Sequence, residues 1–229
     1  MRTRFQVKET VVTIVCDEEF LRVAEDAIFE ARSVIESKIA DDSFFGVTYD
    51  PYPESGDDNP LIRRMCRASV LSKVGPMAGV AGAVAVYAVE RMSEAGAKEA
   101  IVENGGDIAF LSDRKVPVGL FADHPVLKDV AFEISSEGIT GICSSSAKIG
   151  PSVSLGSSNV CTVFSDDVIL ADCCATALGN LVKDEASLQE ALETIGSIDE
   201  VKGCLACIGD KVAMYGDVPD MVRTSHIEY

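Results

Sequence analysis

The sequence predicts an α+β fold, with mixed sheets flanked by helices in a single compact domain over residues 1–229. Residues 18–39 alternate apolar and charged positions at helical period, whereas short runs rich in β-branched residues recur between turn formers in the middle of the chain. Apolar residues make up 47% of the 229 residues, which is enough to bury a core. No internal repeat or low-complexity segment interrupts the pattern.

The predicted elements follow this order. Helices are predicted over residues 18–39, 61–73, 78–95, 170–182 and 187–195. Short strands are predicted over residues 10–15 and near residues 101, 108, 116, 130, 139 and 160. Three prolines mark residues 49–60 as a loop. A hairpin joins residues 204–208 to 211–215, and residues 220–229 form a mobile or docked tail.

A carboxylate and a hydroxyl, Asp172 and Thr176, lie four residues apart in the predicted helix 170–182. This spacing stacks both oxygens on one helix face. Mg²⁺ prefers oxygen ligands and usually takes one or two protein carboxylates, with phosphates and water completing its shell. The pair is therefore a candidate half of a metal-phosphate site. The same residues equally fit an acidic residue in a first helical turn, followed by a small-residue helix packed on a core.

Two β-prone runs flank Asn104, Gly105, Gly106 and Asp107. Asn-Gly between apolar runs is a strong hairpin signal that needs no ligand to explain it. Two glycines also leave a bare backbone that a ligand can approach closely, with Asp107 beside it as a hydrogen-bond acceptor. Both interpretations stay open at this point.

Ser144 and Ser145 belong to a run of three serines that follows the predicted strand near residue 139. Their hydroxyls and backbone N–H groups could bind phosphate. Serine runs also form simple turns.

Several motifs, in this order, resemble those of the ApbE family of flavin transferases. A glycine-rich helix start over residues 74–83 precedes Asn-Gly-Gly-Asp-Ile, a Gly-Ile-x-Ser-Ser segment, and Ala-Asp-x-x-Ala-Thr-Ala-Leu. The opening residues 4–10 and Ser154-Leu-Gly156 are similar to a compact branch of that superfamily in archaea and bacteria. Members hold FAD and Mg²⁺ and move FMN onto a protein hydroxyl, so the resemblance implies FAD and Mg²⁺ as cofactors here.

Position by position, the resemblance makes Asp172 and Thr176 metal ligands and places residues 104–107 against the flavin nucleotide. Transferase members also carry a histidine shortly before the metal motif. The corresponding residues 148–157 contain none, and the two histidines of the chain, His124 and His226, lie elsewhere. The resemblance therefore implies a retained nucleotide and metal scaffold, with transferase activity weakened or altered.

A formal net charge of -17 argues against a nucleic-acid or anionic-membrane partner, because both need a basic surface. No apolar run reaches the length of a membrane span, and the first residues lack the apolar stretch of a signal peptide. We therefore expect a cytoplasmic protein. The resemblance to the ApbE family implies a flavin nucleotide as its small-molecule partner and allows a protein acceptor. The oligomeric state, a homodimer included, stays open.

Eight cysteines in such a protein are expected to be free thiols. Cys173 and Cys174 follow the candidate metal ligand, whereas Cys204 and Cys207 lie in a predicted strand, where their side chains would face opposite sides. Structural thiols are one interpretation. The rival is a non-flavin accessory or relay protein of sulfur metabolism, and a third alternative is an interaction protein without a small ligand.

Overall fold

The computed structural model describes residues 1–119, 127, 129–146 and 156–224. Over these residues nine strands form one sheet, accompanied by five α-helices and a short 3-10 helix. The α+β class is thereby confirmed. Every described strand pair is antiparallel, so the sheet is a single antiparallel one where the sequence predicted mixed sheets.

The strands are β1 (Arg2–Val7), β2 (Thr10–Cys16), β3 (Ala100–Asn104), β4 (Asp107–Gly119), β5 (Val130–Ser145), β6 (Val160–Ser165), β7 (Val201–Ile208), β8 (Lys211–Gly216) and β9 (Met221–Arg223). The helices are α1 (Glu18–Asp41), α2 (Pro60–Ser72), α3 (Val80–Glu94), α4 (Val168–Leu181) and α5 (Leu188–Gly196). Strands β1 to β8 are neighbours in sequence order, and β9 pairs with the first part of β5.

Three differences from the sequence prediction have local causes. The strands predicted near residues 108 and 116 are one strand, β4, because register shifts around Ser112 absorb the polar stretch that interrupts the alternation. Those predicted near 130 and 139 are likewise one strand, β5. Of the predicted tail, residues 221–223 dock on β5 as β9. Strand β1 was not predicted, since its alternate residues are exposed and polar.

The core has two parts, one on each face of the sheet. The larger cluster lies between the helices and the sheet, and the smaller one covers the opposite face. In the smaller cluster the Phe132 and Phe164 rings meet edge to face with centroids 4.9 Å apart. Phe164 pairs with Ile142, which lies ten residues after Phe132 on β5 and would be about 33 Å away along a straight strand. Strand β5 must therefore bend over the sheet.

Helix α4 lies in the larger cluster and is buried on nearly all sides. Its neighbours approach closely because they present glycines. A Cβ atom on Gly79 would lie 2.7 Å from the Cys173 sulfur, and one on Gly141 would lie 2.7 Å from the Val168 Cα atom. Such distances are shorter than van der Waals contact, so these positions accept only glycine without a shift of the helix.

Helix α4 begins two residues earlier than predicted. The Asp167 carboxylate accepts hydrogen bonds from the backbone N–H groups of Ile169 (3.0 Å) and Leu170 (3.2 Å), which makes Asp167 the N-cap. Asp172 consequently lies in the second turn of α4. The packing interpretation had assumed an acidic residue in the first turn.

A sharp bend separates α2 from α3. Helix α2 ends at Lys73, which has a left-handed backbone conformation (φ 60°), and the 3-10 helix Pro76–Gly79 leads into α3. Among the described residues, no single helix has the length and apolar composition needed to cross a bilayer. Helix α2 and the segment Pro76–Glu94 meet those criteria only when they are counted together across their 111° bend.

We predict that Gly141→Ala lowers the free energy of unfolding by about 1–3 kcal/mol, because the added methyl group would press on Val168 and on the Ala171 Cβ atom, 3.1 Å away. The control is Gly138→Ala in the same strand, where an added Cβ meets nothing within 4 Å. Urea unfolding of both variants measures the effect. Equal midpoints for the two would contradict the close packing of α4.

Candidate functional site

The Asp172 carboxylate is directed at the first turn of α3. Its Oδ2 atom accepts a hydrogen bond of 2.7 Å from the backbone N–H of Gly82, and the N–H of Ala81 also donates to this carboxylate. N–H groups in a first helical turn have no partner within their own helix. Asp172 therefore caps α3 from a neighbouring helix, at the end where the helix dipole favours a negative charge.

Gly82 makes this contact possible. A Cβ atom at position 82 would lie 2.9 Å from the Val168 carbonyl oxygen and 3.0 Å from the Asp172 Cβ atom. The sequence pattern predicts that the glycines near residue 79 belong to a helix start. The structure adds that one of them admits the acidic side chain.

The hairpin interpretation of Asn104 to Asp107 is confirmed. Asn104 and Asp107 are the closing pair between β3 and β4, and Gly105 (φ 68°) and Gly106 (φ 106°) form the two-residue turn. Positive φ at both central positions is what such a tight hairpin requires. A Cβ atom on Gly105 would meet nothing within 4 Å, so the outer side of the turn is open.

Asp107 leads from this turn into the interior, beside Asp172. Its side chain is 8% exposed, and its Oδ1 atom is buried without a hydrogen-bond partner. The Cys143 thiol and the Ser144 backbone N–H lie near this carboxylate. Their hydrogen bonds go to the carbonyl oxygens of Val168 (3.6 Å) and Gly106 (3.2 Å). The register of the sheet causes this, because Asp107 on β4 is paired with Cys143 on β5.

Both carboxylates of the pair have raised pKa values. Desolvation by burial raises the pKa of Asp107 well above its usual value, and the neighbouring Asp172 adds to the rise. Burial also raises the pKa of Asp172, although hydrogen bonds from Gly82, Ala81 and Asp107 oppose it. Two buried carboxylates in contact need a shared proton or a cation between them.

The two predicted serines lie on opposite faces of the sheet, and the predicted threonine lies on α4. The Ser144 hydroxyl lies 2.9 Å from the Thr162 hydroxyl, on the face away from the helices, whereas its backbone N–H donates to the Gly106 carbonyl oxygen at 3.2 Å. Ser145 is buried and opposite Cys161, on the helix side that also holds Asp107. Thr176 is half-buried, one turn after Asp172 on α4.

Asn104 joins the turn to α3. Its Nδ2 atom donates a hydrogen bond of 3.1 Å to the carbonyl oxygen of Ala81. This side chain contacts the same helix terminus that Asp172 caps.

The donor set fits Mg²⁺ better than a metal held by protein ligands alone. In the part of the chain that the structure describes, no group of three or more His, Cys, Asp and Glu side chains is placed to hold a metal ion. The site instead offers two carboxylates, one of them with an unpartnered oxygen, and Thr176 follows Asp172 by one turn of α4. Mg²⁺ usually takes one or two carboxylates and completes its shell with substrate phosphates and water.

Sequence reasoning missed the contact between Asp107 and Asp172, together with Cys143 and the N–H groups of Ala81 and Gly82. The contact depends on strand register and on the packing of α4, neither of which a local pattern encodes. The one available signal was the pair of glycines at positions 79 and 82, which permits close approach to a helix start.

All eight cysteines are buried, and none forms a disulfide. Cys204 belongs to the core cluster on the helix side and Cys207 to the cluster on the other face, so the prediction that they face opposite sides is confirmed. Burial raises the thiol pKa of Cys173 well above its usual value and that of Cys174 to about 12. These are structural thiols by their surroundings.

Some predicted features lie outside the described residues. His124, His226 and residues 147–155, which include most of the segment that lacks the family histidine, belong to them.

The family model described as AbpE bacteria matches residues 1–194. A UPF0280 protein of Methanocella arvoryzae is 45% identical over 227 residues, which cover 99% of this chain and 92% of that protein. A UPF0280 protein of Archaeoglobus fulgidus is 43% identical over 226 residues, covering 96% of this chain and 94% of the relative.

Solved structures of ApbE flavin transferases have a similar fold. The apo form of the Pseudomonas stutzeri flavinyl transferase ApbE superposes with a TM-score of 0.60 at 11% identity, covering 94% of this chain and 93% of that one. The flavin transferase ApbE from Vibrio cholerae superposes with a TM-score of 0.59 at 12% identity, covering 94% and 96%. The chain therefore belongs to the family described as AbpE bacteria and has the fold of the ApbE flavin transferases.

Proposed function

We propose that this protein binds FAD together with Mg²⁺, and that Asp172 and Thr176 hold the metal beside the hairpin turn at residues 104–107. The observation that carries the proposal is the buried pair Asp107 and Asp172, in which one carboxylate oxygen has no partner. Hydrogen bonds from α3 position Asp172 but leave the two carboxylates uncompensated. A divalent cation supplies the missing positive charge.

The open side of the turn suits a nucleotide. Gly105 is exposed, and neither glycine of the turn carries a side chain that would keep a ligand away from the backbone. With a net charge of -17, the chain repels a pyrophosphate unless a cation stands between them. The metal, when bound, neutralises pyrophosphate charge, and the turn offers backbone groups to the rest of the nucleotide.

If the protein acts as an enzyme, the reaction we propose is transfer of FMN from FAD. An acceptor hydroxyl oxygen attacks the FMN phosphorus, the bond to the AMP phosphate breaks, and AMP leaves while the hydroxyl proton passes to water or to the departing AMP phosphate. The acceptor is a protein side chain or water. Asp172 and Thr176 would position the metal for this step, and Asp107 would help to retain it.

We predict that FAD binding depends on a divalent cation and that Asp172→Asn weakens it about 10- to 100-fold, because a ligand charge is lost. Asparagine keeps the size of the side chain and an oxygen that can accept from Gly82. The matched control is Asp199→Asn, which removes the same charge from an exposed position. Flavin fluorescence titrations with Mg²⁺ and with EDTA measure the affinity. Identical, metal-independent curves for the wild type and Asp172→Asn would refute the assignment.

We predict that FMN transfer to a test acceptor is weak, since residues 148–157 lack histidine and general-base assistance contributes about 10²- to 10⁴-fold. The measurement is flavin fluorescence on the acceptor in gels, with the Vibrio cholerae flavin transferase run in parallel. Slow release of AMP from FAD is compatible with the prediction. Transfer at the rate of the parallel enzyme would show that another residue supplies the base.

The sulfur-relay alternative needs an accessible thiol with a lowered pKa, because the thiolate is the reactive form. The start of α4 could lower a thiol pKa through its dipole, yet Cys173 and Cys174 lie beyond its first turn and are buried. Burial opposes the reactivity that this alternative requires.

We predict that brief alkylation of the native protein at pH 6 labels all eight cysteines more than about tenfold slower than alkylation of the unfolded chain. All eight are buried, and burial raises the thiol pKa of Cys173 and Cys174, which lowers their thiolate fraction. Mass spectrometry of peptides gives the rate for each position. A single cysteine that reacts rapidly, or that is isolated as a persulfide, would favour the sulfur function over flavin binding.

A further inference from the structure

Asn104 and Asp172 bind opposite ends of one peptide group. The Asn104 Nδ2 atom donates to the carbonyl oxygen of Ala81 at 3.1 Å, and the N–H that follows this carbonyl, that of Gly82, donates to the Asp172 Oδ2 atom at 2.7 Å. The carbonyl of residue 81 and the N–H of residue 82 belong to the same planar amide. The side chain from the hairpin turn and the carboxylate from α4 are thus joined through a single backbone unit.

Such a chain of hydrogen bonds is cooperative. A donor at the carbonyl oxygen polarises the amide and makes its N–H a stronger donor to the carboxylate, by about 10–30% per bond. The amide is also fixed in orientation, because the plane is held at both ends. The effect falls on Asp172, which is 5% exposed and has little water available to replace a lost donor.

The position of Asn104 favours this role over direct ligand contact. Its amide nitrogen is directed at α3, 23 residues earlier in the chain, whereas the neighbouring Gly105 occupies the open part of the turn. Asp107, which follows the two glycines of the turn, directs its side chain into the interior beside Asp172. Asn104 therefore spans the gap between the turn and the helix terminus.

We propose that Asn104 is a positioning residue for Asp172, acting through the Ala81–Gly82 peptide to orient the carboxylate toward a divalent cation. The cation rests on the proposed function. The orientation of Asp172 is independent of the proposed function, because the hydrogen bonds that set it lie within the protein.

Asn104→Ala removes the donor and should weaken the bond from Gly82 to Asp172. In the protein without metal or nucleotide, the Gly82 amide proton should shift upfield in the NMR spectrum and exchange faster with solvent. Asn104→Asp is a second variant of equal size whose ionised carboxylate cannot donate to Ala81, and it should change Gly82 in the same way. Thr162→Val is the stability control, because it removes a buried hydrogen bond on the other face of the sheet and should leave Gly82 unchanged.

Binding of Mn²⁺ alone, followed by the electron paramagnetic resonance of the free ion, should weaken about tenfold in Asn104→Ala. The double variant Asn104→Ala with Asp172→Asn should bind no more weakly than Asp172→Asn alone, because the first residue acts through the second. An unchanged Gly82 resonance overturns the proposal. So does a loss of FAD affinity in metal-free buffer with unchanged Mn²⁺ affinity, which would make Asn104 a direct nucleotide ligand.

A wild-type protein that binds no Mn²⁺ would contradict the proposed function. The Gly82 resonance then still decides the role of Asn104: a shift in Asn104→Ala supports positioning of Asp172, and its absence refutes it.

Discussion

The hydrogen bonds from the first turn of α3 to the Asp172 carboxylate are the constraint on which the site depends. They exist because Gly82 lets α4 approach the helix terminus, and because Asp167 starts α4 early enough to place residue 172 in its second turn. The same contact directs the helix dipole at a charge that would otherwise be buried without compensation. A side chain at position 82 would separate the two helices and remove this arrangement.

The carboxylate pair is a local conflict in an otherwise consistent fold. Burial raises the pKa of both Asp107 and Asp172, and the charge of Asp172 raises that of Asp107 further. The net charge of -17 offers no general relief. Well-packed apolar residues would usually be at least as stable at such positions. Residues that break a local rule in this way concentrate at functional sites, where a ligand supplies what the protein lacks. The divalent cation and the nucleotide phosphate that we propose would meet that description here.

Local patterns predicted much of this structure. Helical periodicity predicted all five helices with small errors at their ends. Asn-Gly-Gly between two β-prone runs predicted the hairpin, and the structure shows positive φ at Gly105 and Gly106. Non-local geometry was out of reach. The contact of Asp107 with Asp172 depends on the register of β4 on β5, and the direction of the Ser144 hydroxyl depends on which face its position in β5 presents. The sequence also placed the start of α4 two residues too late and gave no sign that Asp172 caps α3.

The most direct test is a crystal structure of the protein with FAD and Mn²⁺, in which anomalous scattering locates the metal. The account predicts a Mn²⁺ peak within about 2.5 Å of an Asp172 carboxylate oxygen and next to the FAD pyrophosphate, with the nucleotide against the turn at Gly105. FAD bound away from this turn, or no metal at Asp172 when FAD is present, would contradict it.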